Sequence, residues 1–321
     1  MKKQKFRLAG QKIKSAKKIL LITHDRPDGD AVSSTCALIE YIDSLHKNFD
    51  TYCFNQPPQQ FNFLPRVNKI NSNKNRLTFS QYDLIIVSDC GGLNRTKLSA
   101  EILGRKPEQY IIEFDHHPKI DNYADLEIKN CKISSTCEIL YNFFKINNIF
   151  INKNIANCLL TGILTDTANF LFPITTDTTI KIASELLLLG AKFPLILNNT
   201  WRNKSFAVMK IWGEALNNLQ INPKHNLAYS VLKHESAHEN KIIDEALEGL
   251  PEFLSNLYGV NGLLLLREIE TGRIKGGLRS ARPKMDVSLL AQIAGGGGHS
   301  KASGFVLEGK IIQTKNGWQI Q

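Results

Sequence analysis

Three uninterrupted apolar runs each break abruptly into acidic and histidine residues. Lys18–Thr23 (KILLIT) runs into His24-Asp25-Arg26-Pro27-Asp28-Gly29-Asp30, Leu84–Ser88 (LIIVS) into Asp89, and Tyr110–Phe114 (YIIEF) into Asp115-His116-His117-Pro118. Short runs of branched aliphatics without in–out alternation read as strands buried on both faces. Helical patterns between them, beginning with Ala31–Leu45, supply the cover. The fold class that follows is α/β, with a parallel sheet in the N-terminal domain. In an open sheet of this kind, ligands bind beyond the carboxyl ends of the strands. His24, Asp28, Asp30, Asp89, Asp115, His116 and His117 are therefore expected along one edge.

Further along, Thr136–Ile146, Lys153–Asn169 and Asp177–Leu189 have helical periodicity, and Gly190 supplies a stop. A chain of 321 residues has room for about two domains at roughly 150 residues each. The reading places a first domain, which carries these strand ends, at 1–190, a helical linker at 191–222 and a smaller α/β domain at 223–321. In the last of these, Leu227–Leu232, Gly259–Glu268 and Gly272–Ser280 read as strands, the latter two joined through Glu270-Thr271-Gly272. Val287–Ala294 reads as a helix running into Gly295–Gly298.

Composition removes other classes. Hydrophobic residues make up 42% of the chain, which excludes wholesale disorder. No apolar run approaches the roughly 18–20 residues of a membrane span, and the basic N-terminus is followed by only a short apolar run. A cytoplasmic protein with no membrane partner is expected. The six cysteines form no CxxC pair, which argues against a disulfide framework or a zinc ribbon. A formal charge of +10 suits a polyanionic substrate such as nucleic acid or nucleotides, although the Lys-rich first 18 residues read as solvated surface.

Several carboxylates brought to one edge repel one another unless a cation sits among them. Mixed carboxylate and imidazole donors suit Mn²⁺, Mg²⁺, Fe or Co. The number of donors exceeds the needs of one ion, and two ions a few Å apart suit phosphate-ester hydrolysis. Individual residues have simpler readings: Asp30 stands where a helix N-cap belongs, and Gly29 suits a turn. Near the C-terminus, Gly296, Gly297 and Gly298, followed by His299, would offer backbone N–H groups to an anion, with Ala302, Ser303 and Gly304 completing a tight loop. Arg279, at the end of a predicted strand, has the chemistry of a bidentate phosphate clamp.

Taken in order, His24-x-x-x-Asp28-x-Asp30, Asp89, Asp115-His116-His117 and Thr165-Asp166-Thr167 resemble the four motifs of the DHH phosphoesterase family. Gly296-Gly297-Gly298-His299-x-x-Ala302-x-Gly304 resembles the glycine-rich signature of the associated DHHA1 domain. The resemblance implies an active site in the cleft between the domains and hydrolysis by two-metal activation of water, typically with manganese, Mg or Co being alternatives. Carried over by motif, His24, Asp28 and Asp89 would hold one ion, and Asp30, Asp89, His116 and Asp166 the other. Asp115 would orient the His116 ring, and His117 would face substrate phosphate and protonate the leaving oxygen. Arg279, Gly296, Gly297, Gly298 and His299 would grip the rest of the substrate. Two positions depart from the family's usual glycine: Ser33 and Ala168. The substrates implied are short RNA oligonucleotides and 3′-phosphoadenosine 5′-phosphate. Cyclic di-AMP phosphodiesterase, single-strand exonuclease and non-catalytic nucleotide binding are the alternatives. The sequence leaves the oligomeric state open, a homodimer included.

Overall fold

The computed structural model describes residues 3–233, 247, 249–270, 272–282, 285–298, 301–314 and 317–321. Strand β1 (Lys18–Ile22) sends Ile19 and Leu21 into one apolar core and Leu20 and Ile22 into another. The same split holds for β3 (Leu84–Ser88), where Ile86 joins the first core and Ile85 and Val87 the second. Burial on both faces is what an aliphatic run without alternation requires.

With β2 (Asn48–Tyr52), β4 (Tyr110–Asp115) and β5 (Leu126–Lys129), these strands form an all-parallel sheet in the order β2-β1-β3-β4-β5. The chain leaves β1 outward through helix α2 (Gly29–Ser44) to β2, then returns to place β3 on the other side of β1. Strand order therefore reverses between β1 and β3, and a crevice opens at such a switch point. The larger core lies under α1 (Lys3–Ser15), α2, α4 (Thr136–Ile146), α5 (Lys153–Asp166) and α6 (Asp177–Leu188), while the short α3 (Ser99–Leu103) sends Ile102 into the smaller one.

Several elements differ from the sequence expectation. The Lys-rich start is helix α1, anchored by Phe6, Ala9, Gly10 and Ile13, whose spacing puts them on one buried face. The short strand that the sequence suggests at Thr51–Phe54 runs instead from Asn48 to Tyr52, as β2. The region 193–219 is helical as expected and holds two helices, α7 (Phe193–Thr200) and α8 (Phe206–Asn217).

The chain divides into two units, Met1–Asn203 and Lys204–Gln321. In the second, a mixed sheet runs β10-β11-β9-β8-β7-β6 among the described residues. Its strands are β6 (Gln220–Asn222), β7 (Leu227–Leu232), β8 (Gly262–Glu270), β9 (Arg273–Ser280), β10 (Gly297–Gly298) and β11 (Ala302–Glu308). Ala302, Ser303 and Gly304, expected in a loop, belong to β11 and pair with Arg279, Leu278 and Gly277 of β9. Among the described residues, no helix is long and apolar enough to cross a membrane.

Candidate metal centre

The polar segment after β1 folds around a helix cap. Asp28 Oδ1 accepts hydrogen bonds from the Asp30 and Ala31 amides at 3.1 Å each and starts α2. The cap is thus Asp28, not Asp30. Asp30 lies in the first turn, where its buried carboxylate accepts from two amides at the N-terminus of α4: Thr136 N at 2.6 Å and Cys137 N at 3.0 Å. A helix N-terminus favours such an anion. Close packing of α5 holds the arrangement, since a Cβ at Gly162 would run into Asp30 Oδ1 and Cys137 Sγ.

Asp89 follows β3 with φ of 60°, a left-handed conformation that Asp tolerates better than most residues. Its Oδ1 accepts from the Thr136 hydroxyl at 2.8 Å, and that hydroxyl also receives the His116 amide at 3.3 Å. Thr136 therefore ties Asp30, Asp89 and the His116 backbone to one helix start. Sequence reasoning missed this role, because it depends on where α4 points.

Donor atoms from these segments form three overlapping groups, within each of which all lie no more than 4.8 Å apart: His24, Asp28 and Asp89; Asp30, His116 and Asp166; and Asp89, His116 and His117. Asp89 and His116 each belong to two groups. Asp166 is the last residue of α5, and its Oδ2 lies 3.3 Å from His116 Nε2. His24 Nε2 lies 3.7 Å from Asp28 Oδ2 and 3.9 Å from Asp89 Oδ2; it is buried and has no hydrogen-bond partner among the described residues. Burial and the charges of Asp30, Asp28, Asp115 and Asp166 push the Asp89 carboxyl well above the ordinary range. Burial likewise raises Asp166, with Asp30 and Asp28 adding to it. A buried imidazole nitrogen without a partner, surrounded by mutually repelling carboxylates, fits divalent cations.

Asp115 behaves differently. Its Oδ1 sits 2.8 Å from His117 Nδ1 and accepts from the His117 amide at 2.8 Å, while Oδ2 accepts from Gly91 N at 2.7 Å. The expectation that Asp115 orients His116 is therefore corrected: its carboxylate holds the ring of His117, because the chain turns back onto it immediately after β4. Burial alone would raise the Asp115 carboxyl. The hydrogen bond and charge of His117, with the charge of Lys129, outweigh burial and hold it below the ordinary range.

Lys129 is the cation behind this pair. Its Nζ lies 3.2 Å from Asp115 Oδ2 and 3.0 Å from Glu113 Oε1, and the fully buried Glu113 also accepts from the Tyr123 hydroxyl at 2.7 Å. Removing one partner of a buried ion pair leaves an uncompensated charge, which costs about 3–5 kcal/mol. Lys129→Met is expected to lower unfolding free energy by about that much, read from the urea midpoint at unchanged slope, with a smaller loss at acidic pH as Glu113 takes up a proton. A loss under about 1 kcal/mol would show that Lys129 does not hold the two carboxylates.

The two departures from glycine have structural consequences. Ala168 has φ of 47°, a region where a Cβ is costly, and the Ser33 hydroxyl is buried without a hydrogen-bond partner among the described residues. In the second unit, Arg279 lies on β9, paired with Leu263 of β8 and Ala302 of β11. Gly297 and Gly298 form a short strand against Gly304 and Ser303. Gly298 has φ of 139°, and a Cβ at Gly296 would strike the Gly304 carbonyl, so both positions need glycine for backbone reasons. Among the described residues, no side chain lies within 4 Å of where a Gly297 Cβ would stand. His299 lies outside the described residues.

Comparison with known proteins shows what this chain is similar to. Residues 18–163 match the model of the DHH family, N-terminal domain. Over 290 residues the chain is 27% identical to the protein named bifunctional oligoribonuclease and PAP phosphatase NrnA of Bacillus subtilis, covering 89% of this chain and 88% of that one. A protein of the same name from Thermus thermophilus is 27% identical over 311 residues, covering 95% and 89%. The crystal structure of an exopolyphosphatase-related protein from Bacteroides fragilis superposes with a TM-score of 0.87 at 27% identity, covering 95% of this chain and 91% of that one. Residues 18–163 thus carry a DHH-family N-terminal domain, and most of the chain is similar to the two proteins named bifunctional oligoribonuclease and PAP phosphatase.

Proposed function

We propose that this protein hydrolyses phosphate esters of short oligoribonucleotides and of 3′-phosphoadenosine 5′-phosphate. The observation that carries the chemistry is the set of overlapping donor groups sharing Asp89 and His116, with the orphaned His24 Nε2 at one end. The substrate class is supported by relatives that carry the oligoribonuclease and PAP phosphatase name and align along most of their length.

In this reading His24, Asp28 and Asp89 would hold one divalent cation, and Asp30, Asp89, His116 and Asp166 a second, manganese being our first choice. Such ions supply Lewis acidity at phosphoryl oxygens and lower the pKa of water. Asp115 holds the His117 ring through Nδ1, so that its other ring nitrogen is the one to hand a proton to the leaving oxygen. Thr136 keeps Asp89 from swinging out of the cluster. Arg279, with Gly296, Gly297, Gly298 and His299, would bind the remainder of the nucleotide.

The test is turnover with Mn²⁺ on a panel: a dinucleotide RNA, a longer RNA, single-stranded DNA, cyclic di-AMP, 3′-phosphoadenosine 5′-phosphate and pyrophosphate. Fastest turnover is expected on the dinucleotide and on 3′-phosphoadenosine 5′-phosphate. Cleavage of pyrophosphate alone would overturn the reading, and preference for cyclic di-AMP would move the chain to the cyclic-dinucleotide branch.

A further inference from the structure

Arg95 lies outside every motif discussed so far, in the single turn Leu93–Thr96 that follows the Asp89 segment. Its main-chain carbonyl accepts from the Asp25 amide at 2.8 Å, which fixes this turn against the segment leaving β1. Its side chain is 40% exposed. The guanidinium Nη2 lies 2.6 Å from His24 Nδ1, and the same Nδ1 lies 2.7 Å from the main-chain oxygen of Asp25.

One imidazole nitrogen cannot serve both neighbours. Accepting from the guanidinium needs a lone pair on Nδ1, whereas donating to the Asp25 carbonyl needs a proton there. The second arrangement leaves the lone pair on Nε2, on the side of Asp28 Oδ2 and Asp89 Oδ2, and that is the tautomer a cation requires. In that tautomer the Nδ1–H and the Arg95 N–H are two donors facing each other, and the contact becomes repulsive. Filling the cluster therefore releases the guanidinium from His24.

Asp25 is a poor alternative partner. Its Oδ1 is 3.7 Å from Arg95 Nε, and its Oδ2 is already held by Lys97 at 3.0 Å. A better direction is marked by Gly91. A Cβ built on this residue would lie 3.5 Å from Arg95 Nη1 and 3.5 Å from His117 Cγ. Arg95 and the His117 ring thus flank one small gap, kept open by a glycine with φ of 68°. A gap bordered by a guanidinium and an imidazole, next to a cation cluster, suits a phosphate oxygen.

We infer that Arg95 is a phosphate-binding residue of this site, released from His24 when cations fill the cluster and closing on a non-bridging oxygen of the substrate phosphate beside His117. The inference deepens the proposed function: it rests on that reading for the identity of the substrate, but not for phosphate binding itself.

The test uses adenosine 5′-monophosphate, which carries the phosphate and is not a substrate in this reading. Calorimetric titrations of Mn²⁺ alone, and of the monophosphate into Mn²⁺-loaded protein, would compare the full-length chain with Arg95→Ala and Arg95→Lys. Mn²⁺ affinity should be unchanged or higher in Arg95→Ala, because Arg95 is not a ligand and its contact with His24 opposes the tautomer that a cation needs. Monophosphate affinity should fall by about 10- to 100-fold in Arg95→Ala, the worth of a hydrogen bond to a charged group, with part recovered in Arg95→Lys. KM for a dinucleotide RNA should rise in parallel.

Unchanged monophosphate affinity in Arg95→Ala would overturn the inference. So would a matching loss of Mn²⁺ affinity, which would make Arg95 a structural support of His24. Wild-type protein that binds neither the monophosphate nor inorganic phosphate in Mn²⁺ would overturn it as well. Wild-type protein that binds the monophosphate but cleaves neither RNA nor 3′-phosphoadenosine 5′-phosphate would refute the substrate reading alone, and the Arg95 comparison would still decide the residue's role.

Discussion

Asp89→Asn is expected to fold normally and to lose turnover by at least about a thousandfold, the several kcal/mol of transition-state stabilisation that a metal centre supplies. Asp89 belongs to two of the three donor groups and, in the function proposed above, is shared by both cations, so its loss would weaken both sites. Asparagine is the informative replacement. Its backbone accepts the φ of 60° at this position as readily as Asp does, and its amide oxygen can still receive the Thr136 hydroxyl. Alanine would add a left-handed strain of about 1–2 kcal/mol and confuse the two effects. The neutral amide also removes a carboxyl that burial and four surrounding carboxylates oppose. The metal-free variant should therefore melt at or above the wild-type temperature while showing no turnover on a dinucleotide RNA. Activity within tenfold of wild type would sink the two-cation reading. A lower melting temperature in the absence of metal would show that the Asp89 charge is already compensated inside the protein.

Legibility in the sequence followed the range of each interaction. The strand ends were readable because an aliphatic run buried on both faces announces itself locally, and the sheet then carries His24, Asp89 and His116 to one edge. Asp166 carries no such signal. It closes an ordinary helix, and only its order after the other motifs singles it out. Thr136 and Arg95 were invisible because their importance comes from what the fold aims at them: α4 turns its N-terminus toward Asp30, and the turn after β3 lays Arg95 against His24. Strand β5 was missed because its half-buried LEIK pattern is too short to distinguish from loop. Helix α1 was read as solvent-facing because its four lysines and Arg7 outnumber the four residues that bury it. At the other end, Ala302–Gly304 looked like loop by composition, yet the backbone ladder to β9 makes it strand.

Mn²⁺ should raise the melting temperature of the wild-type protein, and the gain should be larger at pH 8 than at pH 5. The sign follows from the carboxyls. Asp30, Asp89 and Asp166 are all raised above the ordinary value near 4 by burial in the metal-free protein; the neighbouring carboxylates Asp28 and Asp30 add to the effect on Asp166, and both of them with Asp115 and Asp166 add to it on Asp89. A folded pKa raised above the unfolded one contributes stability that is fully present below the unfolded value and is lost as pH climbs through the folded value. The metal-free protein therefore sheds stability as pH rises from about 4 through the raised carboxyls. Cations bind the deprotonated carboxylates, so the stabilisation they bring grows over the same window. At a free concentration about 100 times Kd, one site contributes about 2.7 kcal/mol, and for a unit of this size that moves the melting temperature by roughly 5–10 °C. Chelator should return the protein to its metal-free curve, and Asp89→Asn should show little gain at either pH. A gain that is absent at pH 8, or greater at pH 5, would mean that the carboxylates of this cluster do not converge on a cation.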